Sequence, residues 1–173
     1  MNNKSGMNLS QIPNLDIFLI DANICLYAIR KESVQCENLL NRCAKGEVTG
    51  IMPTHVLAET MHQLMIAEAR DYQWIKGPNP ARQLSELPER VRALTRYEEL
   101  VRDILGSGIQ VEPVVQEDFI TAMGIQHRSG LLTNDALLVA VGERLRVTSI
   151  VSADKTFSRV QGIIMYAPDD IET

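Results

Sequence analysis

The stretch Ile17-Phe18-Leu19-Ile20-Asp21-Ala22-Asn23-Ile24-Cys25-Leu26-Tyr27 decides how the chain is read. Four apolar residues run straight into an aspartate, and an Asx-rich turn and a helical apolar pattern follow. A short continuous apolar run of this kind predicts a buried parallel strand. Asp21 then falls at the carboxyl end of that strand, where open α/β sheets place their ligands. A carboxylate there is costly to desolvate unless a metal, an arginine or the amides of the next helix meet it. A plain N-cap on a helix starting near Ala22 also satisfies the pattern.

Working outward, Ala22 to Arg30 predicts a short helix and Val34 to Ala44 a second. Cys36, Leu39, Leu40 and Cys43 supply the second helix's apolar stripe, and Gly46 its C-terminal cap. Val48 to Met52 predicts a strand. Pro53-Thr54-His55 opens a third helix, with Thr54 as N-cap and Leu57, Met61, Leu64 and Met65 as its apolar face. Glu59 sits in the first or second turn of that helix, at the same sheet end as Asp21. Trp74-Ile75-Lys76-Gly77-Pro78-Asn79-Pro80 is turn chemistry, so residues 72–87 are expected as an inserted, mobile loop. Pro88 opens a fourth helix with Val91, Leu94, Val101 and Leu105 on one face, closed by Gly106-Ser107-Gly108. Ile109 to Val114 predicts an edge strand, because Pro113 cannot donate to a ladder. Glu117 to Arg128 and the Ala/Val/Leu-rich segment ending near Leu145 are helical. Thr148 to Ser152 and Ile163 to Met165 are strands, with Asp154 just after the first of them. Strands alternating with helices predict an α/β fold, with a mostly parallel sheet of about five strands flanked by helices.

The 173 residues favour one domain, spanning 17–168, with a flexible lead at 1–16 and a solvated tail at 169–173 that includes Asp169-Asp170. Hydrophobic residues make up 45%, enough for a core. A net charge of -5 argues against holding nucleic acid by bulk charge, yet leaves room for an acidic metal site with a local basic rim. Cys25, Cys36 and Cys43 form no C-x-x-C pair and read as core thiols of a reduced, cytoplasmic protein. The polar first sixteen residues do not read as a secretory signal, and no apolar run of membrane-spanning length is present.

Four acids stand in comparable places. Asp21 and Asp154 directly follow predicted core strands, whereas Glu59 and Asp135 lie in first turns of helices. Each has an ordinary explanation: a cap, a dipole-favoured helix acid or an Asx turn. Their coincidence at one sheet edge favours a site. Two carboxylates ~6 Å apart repel by roughly 3 kcal/mol at an effective dielectric near 20. A hard cation with oxygen ligands, Mg²⁺ or Mn²⁺, relieves that repulsion and can act on a phosphoryl group. Glu59-Thr60-Met61-His62 spells the E-x-x-H of di-iron bundles, but a second such motif is missing. An aspartyl-phosphate phosphatase of the haloacid-dehalogenase type, with Asp21 as nucleophile, wants a second Asp where Asn23 stands. A non-catalytic binding module is the third class, and four intact acids argue against it.

Leu19-Ile20-Asp21-Ala22-Asn23, Ala58-Glu59, Asn134-Asp135-Ala136-Leu137-Leu138-Val139-Ala140 and Val151-Ser152-Ala153-Asp154-Lys155-Thr156-Phe157 together resemble the PIN-domain family. The resemblance runs from Ile17 to about Pro168. It implies a three-layer fold and a Mg²⁺- or Mn²⁺-dependent endoribonuclease, with compact prokaryotic members acting as toxins of type II toxin–antitoxin pairs. A PIN nuclease of RNA processing or quality control is the alternative. Carried over residue by residue, Asp21, Glu59, Asp135 and Asp154 take the catalytic, metal-holding positions. Asn23 and Ser152 support them, and Lys155, Arg159 and Arg128 are candidates to hold RNA phosphate. Resemblance further implies a homodimer and a small antitoxin partner, with apolar surface expected near Cys36, Leu40 and Met61. The segment Tyr72 to Leu87 and the N-terminal lead are additions to the compact toxin pattern.

Overall fold

Phe18, Leu19 and Ile20 are completely buried because β2 (Ile17–Ile20) lies inside a six-stranded sheet. A computed structural model describes residues 6–171. The strand order is β1 (Met7–Asn8), β6 (Ile164–Ala167), β5 (Ser149–Val151), β2, β3 (Thr49–Pro53) and β4 (Gln110–Glu112), and every pairing is parallel. Leu19 registers with Ile51 on one side and Ile150 on the other. A strand covered on both faces needs apolar residues at consecutive positions, which is the pattern that Phe18 to Ile20 supplies.

The crossovers determine where the helices go. From β2 the chain passes through α1 (Ala22–Ile29) and α2 (Val34–Ala44) to β3, then through α3 (Thr54–Asp71), α4 (Pro80–Ser85), α5 (Pro88–Ala93) and α6 (Arg96–Gly106) to β4. It returns through α7 (Gln116–Ser129) and α8 (Thr133–Leu145) to β5, on the other side of β2. Right-handed crossovers that reverse direction put α7 and α8 on the opposite face from α1–α6, giving three layers. The reversal makes the carboxyl ends of β2 and β5 the switch point of the sheet, where a crevice opens. Gly142 lets α8 lie against the central strand, since a Cβ there would stand 2.7 Å from Leu19 Cδ1 and 2.8 Å from the Val147 carbonyl oxygen. No helix among the described residues is long and apolar enough to cross a membrane.

Several expectations change. A sixth strand comes from the lead: β1 pairs with β6, and Leu9 and Ile12 are buried, so residues 6–16 are built into the fold while residues 1–5 lie outside the described part. Asp169 and Asp170 of the expected tail are also anchored, while residues 172–173 lie outside the described part. Asp170 accepts from Ser33 Oγ (2.6 Å) and from the Gln35 N–H (3.0 Å) at the start of α2, and Asp169 accepts from the Gln35 amide. Thr54 is not the cap of α3; Pro53 holds that position, and Thr54 Oγ1 accepts from the Val114 N–H at 3.2 Å.

The segment expected as a loop contains α4, and its Ile75 and Leu84 join Ile66, Ala69 and Leu94 in a second small core. The predicted fourth helix is two, α5 and α6, broken at Leu94-Thr95; Leu94 is buried, but Leu105 is half-exposed at 49%. The break has a cause on α3. Glu68, buried at 1% exposure, accepts backbone N–H bonds from Thr95, Arg96 and Tyr97 at 2.8–3.1 Å, so it supplies the cap that Thr95 does not.

Burial pushes the thiols of Cys25 and Cys36 up to about 12 and about 11, which suits inert core residues. Of the apolar residues named for an exposed face, Cys36 is buried, Leu40 half-buried and Met61 exposed. Exposed apolar side chains also gather on α7, at Phe119, Ile120 and Met123, and at Leu132 before α8.

Candidate active site

Asp21 leaves β2 as the N-cap of α1, and its two oxygens have different partners. Oδ1 accepts the Ala22 N–H at 2.7 Å, and Oδ2 accepts from Ser152 Oγ and Asn23 Nδ2, each at 2.6 Å. The capping reading of Asp21 therefore holds, and its second oxygen is left to partners from Asn23 and from the end of β5. Ser152 Oγ in turn accepts from the Asp154 N–H at 2.9 Å, and Asn23 Oδ1 accepts from the Ala153 N–H at 3.1 Å. This web ties the ends of β2 and β5 together. It explains why small polar residues stand at 23 and 152, between the two aspartates.

Asp154 caps the 3₁₀ turn Lys155–Arg159 through Oδ1, which accepts the Thr156 N–H at 2.8 Å. Its other oxygen has no protein donor among the described residues. Glu59 lies on α3 and accepts from Asn134 Nδ2 at 2.9 Å. Asn134 also offers its carbonyl oxygen to His55 Nε2 at 3.1 Å. Burial holds the imidazole of His55 below its ordinary value, and a neutral ring with Nε2–H donating fits that contact. The first turns of α3 and α8 are thus clamped together by His55 and Asn134. Neither was singled out as a site residue in the sequence; the signal available was Asn134 directly before Asp135 at a helix start.

Asp135, in the first turn of α8, accepts no hydrogen bond among the described residues. Burial and the fields of Asp21, Asp154 and Glu59 push its carboxyl up to about 6. Asp21 is raised as well, first by burial and further by Glu59 and Asp154, against the opposing pull of Ser152 and Ala22. The four predicted acids therefore share one electrostatic neighbourhood. The positive ends of α1 and α8 face it and offset part of the charge.

Asp118 does not belong to this group. It is buried at 1% and held by Arg144 at 2.8 Å, with Glu112 on the same guanidinium at 2.7 Å. Of the cations considered for phosphate, Lys155 and Arg159 lie on the turn beside Asp154, while Arg128 meets Glu143 at 3.6 Å. His62 is exposed on α3.

Among the described residues, no three His, Cys, Asp or Glu side chains form a ready-made metal cage. The donor chemistry still fits a hard divalent ion: every candidate ligand is a carboxylate oxygen, and Asp135 is a half-buried acid with no protein partner in the field of three others. Mg²⁺ and Mn²⁺ sites of this type take a few carboxylates and fill the rest of the sphere with water.

An α/β sheet with acids gathered at its switch point places polar side chains where open α/β folds hold their ligands. The PIN domain family model matches residues 18–163, and the chain belongs to that family. Two solved structures share the fold. One is the crystal structure of VapBC2 from Rickettsia felis bound to a DNA fragment from their promoter, at 20% identity and a TM-score of 0.56, covering 88% of this chain and 99% of that one. The other is a toxin–antitoxin complex from Klebsiella pneumoniae, at 13% identity and a TM-score of 0.54, covering 90% and 99%. No curated protein matches the chain.

Proposed function

We propose that this PIN-domain protein is a metal-dependent endoribonuclease and the toxin of a type II toxin–antitoxin pair. The observation that carries the nuclease reading is Asp135: a half-buried carboxylate that accepts no hydrogen bond among the described residues, raised by burial and then by three other acids, at the switch point of a parallel sheet. Asp21, Asp135 and Asp154 would hold Mg²⁺ or Mn²⁺, with Glu59 contributing directly or through water. Bound there, the cation supplies an activated water and stabilises charge on the phosphoryl group. The chain's own residues do the rest. Ser152 and Asn23 fix the rotamer of Asp21 by donating to one of its oxygens. Asn134 fixes Glu59. The turn after Asp154 sets Lys155 and Arg159 where a phosphate backbone can be held.

The fold likeness to chains from toxin–antitoxin complexes supports a small antitoxin partner, and the exposed apolar face of α7 supports a homodimer. A PIN nuclease of RNA processing would share the chemistry and lack the antitoxin. The test is cleavage of labelled RNA with Mn²⁺ or Mg²⁺, with a chelator control. Asp21→Asn should remove cleavage and leave the circular dichroism spectrum unchanged. Full activity in that variant, purified free of other nucleases, would overturn the mechanism. Light scattering at tens of micromolar should give a dimer, and co-expression of a neighbouring antitoxin should suppress cleavage.

A further inference from the structure

The residues on either side of Asp154 line a cavity of about 380 Å³, whose walls include Tyr27, Ala153, Lys155, Met165, Ala167 and Pro168. We propose that it receives one base of single-stranded RNA beside the phosphodiester to be cut, with Tyr27 as the stacking face and Lys155 as the phosphate contact. The proposal rests on the ribonuclease reading above and assigns that site a substrate pocket.

Position is the first argument. Ala153 and Lys155 are the immediate neighbours of Asp154. Ala167 and Pro168 leave β6 at the carboxyl edge of the same parallel sheet. An occupant of the cavity therefore touches the two chain neighbours of a candidate catalytic acid. The walls are the second argument. Ala153, Met165, Ala167 and Pro168 present carbon, and the half-buried ring of Tyr27 packs against the main core. An aromatic face fixed by its helix stacks on any base at small entropic cost, and single-stranded RNA is commonly read this way. The volume lies in the ~300–1,000 Å³ range of small-ligand sites. Charge is the third. With a net charge of -5, the protein must attract phosphate locally. Lys155 forms no ion pair among the described residues, whereas Arg128 is engaged with Glu143. Asp169, also on the cavity wall, accepts from the Gln35 amide and keeps its negative charge, so the phosphate contact falls to Lys155.

A base stacked in a duplex cannot enter such a cavity, so the pocket would select unpaired RNA. The test uses a short single-stranded oligoribonucleotide carrying 2-aminopurine, whose fluorescence reports stacking. Ca²⁺ replaces Mg²⁺ or Mn²⁺, because it takes the same oxygen ligands, and a gel confirms that the RNA stays intact. Tyr27→Ala and Lys155→Ala should each weaken binding between about fivefold and a hundredfold, the span expected for losing one stacked base. Tyr27→Phe should bind like wild type, and the matching duplex should give no stacking signal. In Mn²⁺ the same losses should appear in KM, with kcat nearly unchanged. Wild-type binding by Tyr27→Ala, or equal binding of the duplex, overturns the pocket. Cleavage by wild type with unaltered KM in the variants leaves the nuclease reading standing and removes the pocket. Tyr27-dependent binding without any cleavage does the reverse, and neither binding nor cleavage removes both.

Discussion

An aspartate such as Asp135, which accepts no hydrogen bond among the described residues and stands among three other acids, raises the energy of the metal-free protein. Asp154 offers a direct measure of that cost, because Asp154→Asn removes one charge and keeps the Oδ1 that caps the Thr156 N–H. Without metal, the variant should melt slightly above wild type. With metal, wild type should gain about 2.7 kcal/mol at a hundredfold excess over Kd, and the variant far less. Melting curves of both proteins in chelator and in Mn²⁺ decide it. Equal gains from Mn²⁺ would make Asp154 a turn residue and nothing more. Asp21 and Asp154 were legible in the sequence because each follows an apolar strand, and a strand end is a place. The tie between Glu59 and Asn134 was not legible, since it joins helices 75 positions apart through side-chain reach alone. Tyr27 stayed hidden for a similar reason. Its helix was visible, but the cavity beside it is made by β6 and the chain after it.

At the scale of elements, sequence periodicity located most helices and strands to within a residue or two. It failed between 72 and 106. Gly77-Pro78-Asn79-Pro80 is indeed a turn, and Asn79 adopts a left-handed φ of 56°. What periodicity could not show is that Ile75 and Leu84, on either side of the turn, meet Ile66 and Leu94 in a core of their own. The apolar spacing from Val91 to Leu105 likewise read as one helix, because the break at Thr95 is enforced from another helix. Burial pushes the Glu68 carboxyl up, and the three N–H groups it accepts outweigh this and hold it below its ordinary value. Glu68→Gln puts an amide donor where only acceptors are wanted. It should cost about 2–3 kcal/mol, the range for buried bonds to a charged group. RNA cleavage well below the melting temperature should stay intact. Urea unfolding measures the first and the cleavage assay the second. Unchanged stability would show that α6 starts at Thr95 without help.

For the molecule as a whole, two sets of acids pull in opposite directions with pH. Asp135 is raised from 3.8 to about 6, and Asp21 is raised too. The folded protein therefore binds these protons more tightly than the unfolded chain, and their contribution to stability is lost as pH rises from 3.8 through about 6. Asp118, buried yet lowered by Arg144, and Glu68 work the other way: their stabilisation is lost as pH falls below their ordinary values of 3.8 and 4.5. The chelated protein should consequently melt highest between pH 4.5 and about 6, and Mn²⁺ should move the maximum upward, because the ion competes with those protons. Melting temperatures recorded across that range in chelator test this. A fall in stability from pH 7 to 5.5, as read in that series, would contradict the crowding of the acids.

The order of the sheet also sets a timetable for the growing chain. Among the described strands β1 comes first in the chain and pairs with β6, which comes last; β2 meets β5 only after α1 to α8 have been made. Until then β2 has an open edge, the kind of edge that invites association with other chains or with chaperones. Ala22 and Asn23 can reach Asp21 as soon as α1 forms, but Ser152 reaches it across 131 positions, so the web is completed only late. A ribosome therefore makes Asp21 long before the Ser152 and Asp154 that stand with it, and the candidate site takes shape only as the last strands emerge.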